Sequence, residues 1–272
     1  MKKLSKLMLS LLLIVPLAGA LFPLYFMFVH SLKKSGLATL QLKDLLPVGL
    51  TFNNYIDIFS AGPFEIFIFN SVIVALVVTL GNLLFCTMVG YAFARRRFPL
   101  KEPLFASALL ILMIPAHIII IPIYILINRL GWYDSYLALI VPWLVNPLGI
   151  FLMRQYIENL PEEIEEAARL DGAGDFKILF KIIMPLSKPA LAVLGIQIFL
   201  TNWNSFLFPF ILTASEKMRT LPVALALYRG YQTIDWPHLF AGTALSALPV
   251  ILFFLVFQKQ IVSGLTAGAL KR

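Results

Sequence analysis

Residues 161–185 read PEEIEEAARLDGAGDFKILFKIIMP, a charged and helix-forming stretch in a chain that is otherwise strongly apolar. Seven of the 14 acidic residues in the whole chain lie between residues 158 and 175. Pro161 suits the first position of a helix, and the glutamates after it oppose the positive end of the helix dipole. The glycines of the DGAG sequence predict a break, and Pro185 predicts the end of a second helical element. The stretch therefore predicts two short helices that lie outside the bilayer.

Composition places the chain among integral membrane proteins. Of its 272 residues, 60% are hydrophobic and only 13% are charged, and the mean hydropathy is +0.88. These values lie outside the range of soluble globular proteins. The net charge of +8 comes from basic residues that flank apolar runs, so topology explains it better than a nucleic-acid surface. The single cysteine, Cys86, lies in an apolar run, which predicts a packing role and excludes a disulfide framework.

Six apolar runs are long enough to cross a bilayer as helices. A hydrocarbon core of about 30 Å requires about 20 helical residues, because a helix pairs its own amides and carbonyls. We therefore predict an all-α integral membrane protein with a single domain, residues 1–272, and six transmembrane helices. The predicted spans cover about residues 7–29, 69–94, 104–127, 136–156, 190–212 and 239–258.

The first apolar run has an alternative interpretation as a signal peptide. Residues 1–20 combine three lysines, an apolar core and a closing sequence of small residues. The apolar stretch nevertheless continues to Val29, which makes 23 residues from Leu7. This length favours a membrane anchor that is retained.

The distribution of lysine and arginine predicts the orientation of the spans, because positively charged segments resist translocation. An amino terminus in the cytoplasm puts 15 of the 22 basic residues on the inside and 7 on the outside. Both termini are then cytoplasmic, and so is the segment at residues 157–189. We interpret the triplet Arg95-Arg96-Arg97 as the strongest anchor of this topology.

The spacing of Glu166-Ala167-Ala168, Gly172, Ile182 and Pro185 resembles the cytoplasmic loop motif of binding-protein-dependent ABC importer permeases. Met184 takes the place of the usual leucine, a change that conserves volume. Asp171-Gly172-Ala173 narrows the resemblance to the carbohydrate-uptake branch, in the manner of the smaller maltose-type permeases. The similarity covers about residues 65–272 and includes further motifs: Asn70-Ser71, Tyr91-Ala92-Phe93-Ala94-Arg95, Trp203-Asn204 with Phe206 and Pro209, and Gly264 to Lys271.

This resemblance implies a type I ABC importer permease architecture with a cytoplasmic coupling helix between spans 4 and 5. The coupling loop, about residues 157–189, is expected to seat that helix in a groove of an ATP-binding subunit. Glu166 is the expected polar contact, and the small residues around it permit close approach. The expected coupling residues are Glu166, Ala167, Ala168, Asp171, Gly172 and Ala173.

The resemblance also implies the partners of the chain. They are a second, homologous permease, two ABC ATPase subunits, an extracytoplasmic solute-binding protein, a carbohydrate substrate and the lipid of a bacterial or archaeal cytoplasmic membrane. The chain has no phosphate-binding Gly-x-x-x-x-Gly-Lys-Ser/Thr sequence, so we expect no cofactor on it and ATP on the partner subunits. His30, His117 and His238 lie too far apart in the sequence to indicate a metal site. We expect no catalytic residue, no enzyme activity and no nucleic-acid partner.

A polar stretch inside the fifth predicted span is the candidate substrate path: Gln197, Thr201, Asn202, Asn204 and Ser205. Unpaired polar groups are costly against lipid, so these side chains are expected to face inward. Two interpretations stay open, hydrogen bonds between helices and contacts with sugar hydroxyls, and in the second Trp203 could stack on a sugar face. Asn82 and Thr87 are weaker candidates for the path, whereas Gly81 and Gly90 predict close helix packing.

Alternative functions stay open at this point. A membrane channel or scaffold subunit would act without ATP coupling, and an ABC permease could carry a solute other than a sugar. An intramembrane enzyme would need inward-facing catalytic residues, such as a Ser/His pair or a His-x-x-x-His sequence, and none is visible. Aromatic residues in segments 30–68 and 213–238 suit either the membrane interface or contact with a binding protein.

Overall fold

The computed structural model describes residues 2–34, 45–227 and 235–269, and every regular element in these ranges is helical. Within these ranges, four helices are long and apolar enough to cross a membrane: Leu12–Ser31, Phe64–Arg95, Tyr136–Glu158 and Trp236–Leu255. Two bent pairs raise this number to six if each pair is one span: Lys101–Ile111 with Ala116–Arg129, bent by 91°, and Asp175–Leu186 with Lys188–Trp203, bent by 80°. The all-α class is confirmed, with four to six candidate spans.

The described residues form a series of α-helices. In chain order they are α1 (Lys2–Ser31), α2 (Asn53–Ala61), α3 (Phe64–Arg95), α4 (Lys101–Ile111), α5 (Ile120–Arg129), α6 (Tyr136–Ile140), α7 (Pro147–Glu158), α8 (Glu163–Leu170), α9 (Asp175–Ile178), α10 (Met184–Leu186), α11 (Lys188–Trp203), α12 (Leu207–Leu212), α13 (Leu221–Leu227) and α14 (Trp236–Ala269). Tighter 3-10 turns form at Ala116–Ile119, Val141–Trp143 and Glu216–Met218, and a wider π turn forms at Leu179–Ile183.

Three of the predicted spans are interrupted, and each of these apolar runs contains proline. The run 136–156 is divided between α6 and α7, with Pro142 in the 3-10 turn that follows α6. The run 104–127 breaks between α4 and α5, and Pro115 lies in the break. Proline disfavours a helical conformation in the residue before it and has no amide to donate. The run 190–212 stops being helical at Trp203 and resumes in α12, where Pro209 sits in the first turn and its missing amide is tolerated. These three spans are therefore less continuous than the apolar runs predict.

Within the described ranges, the chain divides into two compact units. The first comprises residues 1–67 and 221–251, and the second comprises residues 68–220 and 252–272. In the first unit, the Asn54 amide of α2 donates to the carbonyls of Ser31 and Lys33 at 2.7 and 2.6 Å. The buried Lys33 ammonium donates to the carbonyl of Leu46 at 2.6 Å, so polar contacts satisfy the end of α1.

The second unit is packed around α3, α7 and α11. Its buried core joins these helices to the short helices after α8, and it includes Val78, Cys86, Tyr91, Phe93, Met153, Ile157, Ile178, Leu179, Ile183 and Leu194. The predicted packing role of Cys86 is therefore confirmed. A Cβ placed on Gly90 would lie 2.8 Å from the Cβ of Met153, and one on Gly81 would lie 2.5 Å from Leu144 Cδ2. These distances confirm close helix packing at Gly90, whereas Gly81 packs closely against Leu144 in the connection before α7.

Candidate functional site

The two helices predicted around the DGAG sequence are present. α8 begins at Glu163, two residues after Pro161, and has three glutamates in its first turn. It ends at Leu170, where the Gly172 amide donates to the Arg169 carbonyl at 2.9 Å. Gly172 has a φ of +77°, a left-handed conformation that glycine adopts without strain. This turn directs the chain into α9.

The inner side of α8 is held by one buried carboxylate, Glu165. Its Oε1 accepts a hydrogen bond from Arg95 Nε at 2.8 Å, and its Oε2 accepts one from the Tyr91 hydroxyl at 3.0 Å. The side chains of Arg95 and Glu165 are each only 6% exposed. Removing one partner of a buried ion pair costs about 3–5 kcal/mol, so this contact fixes the inner side of α8 firmly.

The arginines at the end of α3 also contact the rest of the loop. Arg95 Nη1 lies 3.0 Å from Glu162 Oε1, and Arg96 Nη2 donates to Asp175 Oδ1 at 2.7 Å. The interpretation of the arginine triplet as a topology anchor is therefore incomplete, because Arg95 and Arg96 also hold the loop helices. The sequence does contain a signal for this contact. The triplet is basic and the loop is acidic, and both are predicted to lie on the same side of the membrane.

The outer side of the loop is exposed and mixes apolar with acidic residues. Leu170 is 90% exposed and Phe176 is 70% exposed, so both present apolar area outside the core of the second unit. We call this exposed set the loop surface, and it consists of Glu166, Ala167, Leu170, Asp171, Gly172 and Phe176.

The structure divides the six expected coupling residues between two sides of the loop. Glu166, Ala167, Asp171 and Gly172 belong to the loop surface. The side chains of Ala168 and Ala173 are instead partly buried against the core of the second unit, and their roles in coupling stay predictions. Ala168 follows the inward-facing Glu165 by three residues, and this spacing puts it on the same side of the helix.

Leu170 and Phe176 are the members of the loop surface that the sequence reasoning missed. Leu170 follows Glu166 by four residues, so helical spacing was the signal that could have found it. Phe176 lies in the first turn of α9, beyond the glycine turn, where helical spacing counted from α8 no longer applies.

The polar stretch of the fifth predicted span lies at the end of α11 and just beyond it. Gln197, Thr201 and Asn204 are exposed and recur at intervals of four and three residues, which puts them along one helix face. Asn202 and Ser205 are partly buried. The amides of Asn202 and Asn204 donate to the carbonyls of Ile198 and Leu200, at 2.9 and 2.8 Å, so both bond within their own helix.

Structural roles are found for Trp203, the possible stacking residue, and for the two weaker candidates for a substrate path, Asn82 and Thr87. Trp203 is 1% exposed and stacks on Phe199 with ring centroids 5.9 Å apart, so its ring is not available to a sugar. The Asn82 amide is buried and donates to the Trp143 carbonyl at 2.7 Å, which joins α3 to the turn before α7. The buried Thr87 hydroxyl donates to the Leu83 carbonyl one turn earlier.

In the part of the chain that the structure describes, no group of three or more His, Cys, Asp or Glu side chains is arranged to hold a metal ion. His30 stacks on Phe26 with centroids 4.0 Å apart. His238 Nδ1 lies 2.7 Å from Asp235 Oδ2. These two histidines make packing and polar contacts within the first unit.

Known proteins that resemble this chain are membrane permeases of transport systems. The family model described as "Binding-protein-dependent transport system inner membrane component" matches residues 86–266, which contain the loop surface and α11. "Arabinooligosaccharides transport system permease protein AraQ" of Bacillus subtilis is 37% identical over 254 residues, covering 92% of this chain and 90% of that protein. "Trehalose transport system permease protein SugB" of Mycobacterium tuberculosis is 35% identical over 256 residues, covering 93% of each.

A solved structure has the same fold. It is described as a bacterial ABC transporter involved in the import of the acidic polysaccharide alginate. One of its chains matches with a TM-score of 0.84 and 26% identity, covering 94% of this chain and 96% of that chain. The family match spans well over half of the chain, and the relatives are similar over nearly all of it. This chain therefore belongs to the family of binding-protein-dependent transport system inner membrane components.

Proposed function

We propose that the chain is a permease subunit of an ATP-driven ABC importer and that it forms, with a second permease, the path for a carbohydrate. An extracytoplasmic binding protein delivers the solute, and two ABC ATPase subunits bind the ATP. The loop surface is the observation that carries this proposal. It is a firmly held, exposed helix face in a chain whose family acts with soluble partners.

The loop surface has the chemistry of a docking site for a soluble subunit. Leu170 and Phe176 supply exposed apolar area, whose burial is worth about 25 cal/mol per Å². Glu166 and Asp171 add charge beside this apolar area. No atom lies within 4 Å of a Cβ built on Gly172, so a partner can approach the backbone there. Exposed apolar residues with a polar rim are typical of protein interaction sites.

The importer mechanism follows from docking at this surface. Closure of the ATPase dimer on ATP displaces the groove that holds α8. The permease then passes between conformations that open its path to one side of the membrane or the other. This chain supplies the docking helix and part of the path, and the partner subunits supply the nucleotide chemistry.

In this proposal the chain crosses the membrane six times, with each bent helix pair counted as one span. Both termini are cytoplasmic, because that orientation leaves 15 of the 22 basic residues on the inside. The loop surface then lies on the cytoplasmic side, where ATPase subunits are found.

The exposed polar face of α11 is the proposed substrate contact. Gln197, Thr201 and Asn204 offer amide and hydroxyl groups, which suit the hydroxyls of a sugar. The partly buried Asn202 and Ser205 lie beside this face. The names of the relatives, which include arabinooligosaccharides and trehalose, support a carbohydrate as the solute class.

The test uses the complex of this chain with its second permease and its ATPase, purified by a tag on this chain. Leu170→Glu should lower the amount of copurified ATPase at least about tenfold, because a charge buried in an apolar contact costs more than 1.4 kcal/mol. Leu170→Met keeps the apolar contact and serves as the matched control. Unchanged copurification of the ATPase with Leu170→Glu would contradict docking at the loop surface.

Uptake measurements in liposomes separate the alternative functions. We expect labelled oligosaccharide to enter only with ATP and the binding protein. Equal flux without ATP would indicate a channel. Stimulation of ATP hydrolysis by a different solute class, with no response to oligosaccharides, would indicate a permease for a solute other than a sugar.

A further inference from the structure

The last turn of α3 contacts both short helices of the loop. Arg95 pairs with Glu165 of α8, and Arg96 pairs with Asp175 at the start of α9. Tyr91 lies one turn earlier on α3 and connects the two pairs. Its hydroxyl donates to Glu165 at 3.0 Å and accepts from Arg96 at 2.6 Å. These side chains form a continuous polar link between α3 and the loop helices.

The Arg95–Glu165 pair is the stiff part of this link. Arg95 directs Nε to Glu165, Nη1 to Glu162 and Nη2 to the Leu160 carbonyl. A guanidinium holds its donors in a fixed plane, so three acceptors around one arginine define the position of the backbone that carries them. Because both charged side chains are nearly inaccessible to water, their attraction is screened much less than that of an exposed pair.

Two successive glutamates on α8 therefore have different environments. Glu165 faces the protein and binds the end of α3, whereas Glu166 is exposed on the loop surface. One side of the helix is available to a partner, and the opposite side is fixed to a membrane-spanning helix.

We propose that Arg95 and Glu165 are positioning residues for ATP coupling, because their buried pair makes α8 and the cytoplasmic end of α3 move as one body. This inference rests on the proposed function and assigns the route by which motion at the loop surface reaches a span. Without the pair, the loop surface still binds the ATPase, but the loop rotates against α3 and absorbs the displacement. Transport then fails while docking persists.

The test compares neutral variants of the pair with exposed residues of the same type. Arg95→Gln is matched by Arg97→Gln, since Arg97 is exposed two residues further along. Glu165→Gln preserves shape and is matched by Glu163→Gln on the exposed side of the same helix. Each complete transporter is reconstituted in liposomes, and three quantities are measured: copurified ATPase, ATP hydrolysis and oligosaccharide uptake.

We expect the Arg95→Gln and Glu165→Gln complexes to retain the copurified ATPase. The solute taken up per ATP hydrolysed should fall about tenfold or more, which lies within the range of typical coupling between two sites. Both matched controls should keep the wild-type ratio. An unchanged ratio in the two pair variants overturns the inference. Loss of assembly in both pair variants, with intact controls, also overturns it, because the pair then serves folding and not coupling.

The double variant Arg95→Gln with Glu165→Gln provides an independent check. If the two residues act through their mutual contact, the double variant should lose no more coupling than the worse single variant. Multiplication of the two single losses would overturn the inference. If the wild-type transporter shows no ATP-dependent uptake, the proposed function fails and not the link between α3 and α8.

Discussion

Replacement of Gly90 by alanine should force α3 and α7 apart. The added Cβ would lie 2.8 Å from the Cβ of Met153 and 2.9 Å from the amide nitrogen of Arg154. Carbon atoms in favourable contact are about 3.5–4.0 Å apart. A backbone nitrogen and a Cβ cannot rotate away as the end of a long side chain can, so the helices themselves must move. Overpacking of this kind costs about 1–3 kcal/mol.

Two other glycines on long apolar helices allow the cost of an added methyl group to be compared between positions. A Cβ on Gly195 of α11 would lie 3.6 Å from Leu83 Cδ2, which is ordinary contact. Gly195→Ala should therefore be neutral or gain up to about 1 kcal/mol from helix propensity. Gly81→Ala is intermediate, because the atom it meets at 2.5 Å is the end of the flexible Leu144 side chain.

Thermal unfolding of the purified complex measures this ranking. After the gain in helix propensity is subtracted, Gly90→Ala should lose up to about 2 kcal/mol, which corresponds to a melting temperature lower by up to about 8 °C. Gly195→Ala should melt at or above the temperature of the unmodified complex. Equal melting temperatures for Gly90→Ala and Gly195→Ala would refute the argument that close α3–α7 packing requires glycine at position 90.

Three further outcomes are expected. Asn70→Ala should lower the free energy of unfolding by about 1–3 kcal/mol, because the buried Asn70 amide donates to the carbonyls of Lys217 and Arg219 at 2.9 Å. The control in the same melting assay is Asn128→Ala, since the Asn128 amide bonds within its own helix. Partial burial raises the pKa of Asp134, but hydrogen bonds from the amides of Ala214 and Ser215 outweigh it and hold that pKa below its ordinary value. Its stabilising contribution is therefore present above the ordinary pKa of about 3.9 and is lost as pH falls through the lowered folded value. In the Asp134→Asn variant, the melting temperature should fall less steeply as the pH is lowered on the acid side. The same dependence of melting temperature on pH in the variant and the unmodified protein would contradict this. Thr201→Val should reduce oligosaccharide uptake without loss of copurified ATPase, and Thr201→Ser, which keeps the hydroxyl, should restore uptake.

Much of the architecture could be predicted from the sequence because lipid imposes few choices. A long apolar run in a bilayer must be helical, so the class and the approximate positions of the long helices follow from composition. The two loop helices could also be predicted, since the glutamates after Pro161 favour a helix start and Gly172 favours a left-handed turn. Pro161 itself does not take the first helical position, because α8 begins at Glu163 and Glu162 is its N-cap. The breaks near Pro115 and after Trp203 are harder, because membrane helices tolerate some prolines and neighbouring packing decides which of them interrupt the helix.

The candidate site was only half predictable, for a reason that Glu165 and Glu166 make plain. The two residues have the same side chain and adjacent positions, yet one is buried and the other is exposed. Periodicity along α8 shows that they point in different directions, but it does not say which direction faces the protein. That choice depends on Arg95, which lies 70 positions away in the sequence.

The physical role of the YAFAR motif, residues 91–95, becomes clear from the same contact. Tyr91 and Arg95 are four residues apart, so they lie on one face of α3, and each binds a different oxygen of Glu165. Phe93, on another face, is buried in the core of the second unit. The spacing on α3 thus provides two donors to one carboxylate, and the first helix of the loop presents that carboxylate at a single position. The motif at the end of α3 and Glu165, the residue directly before the loop motif, are therefore two halves of one contact.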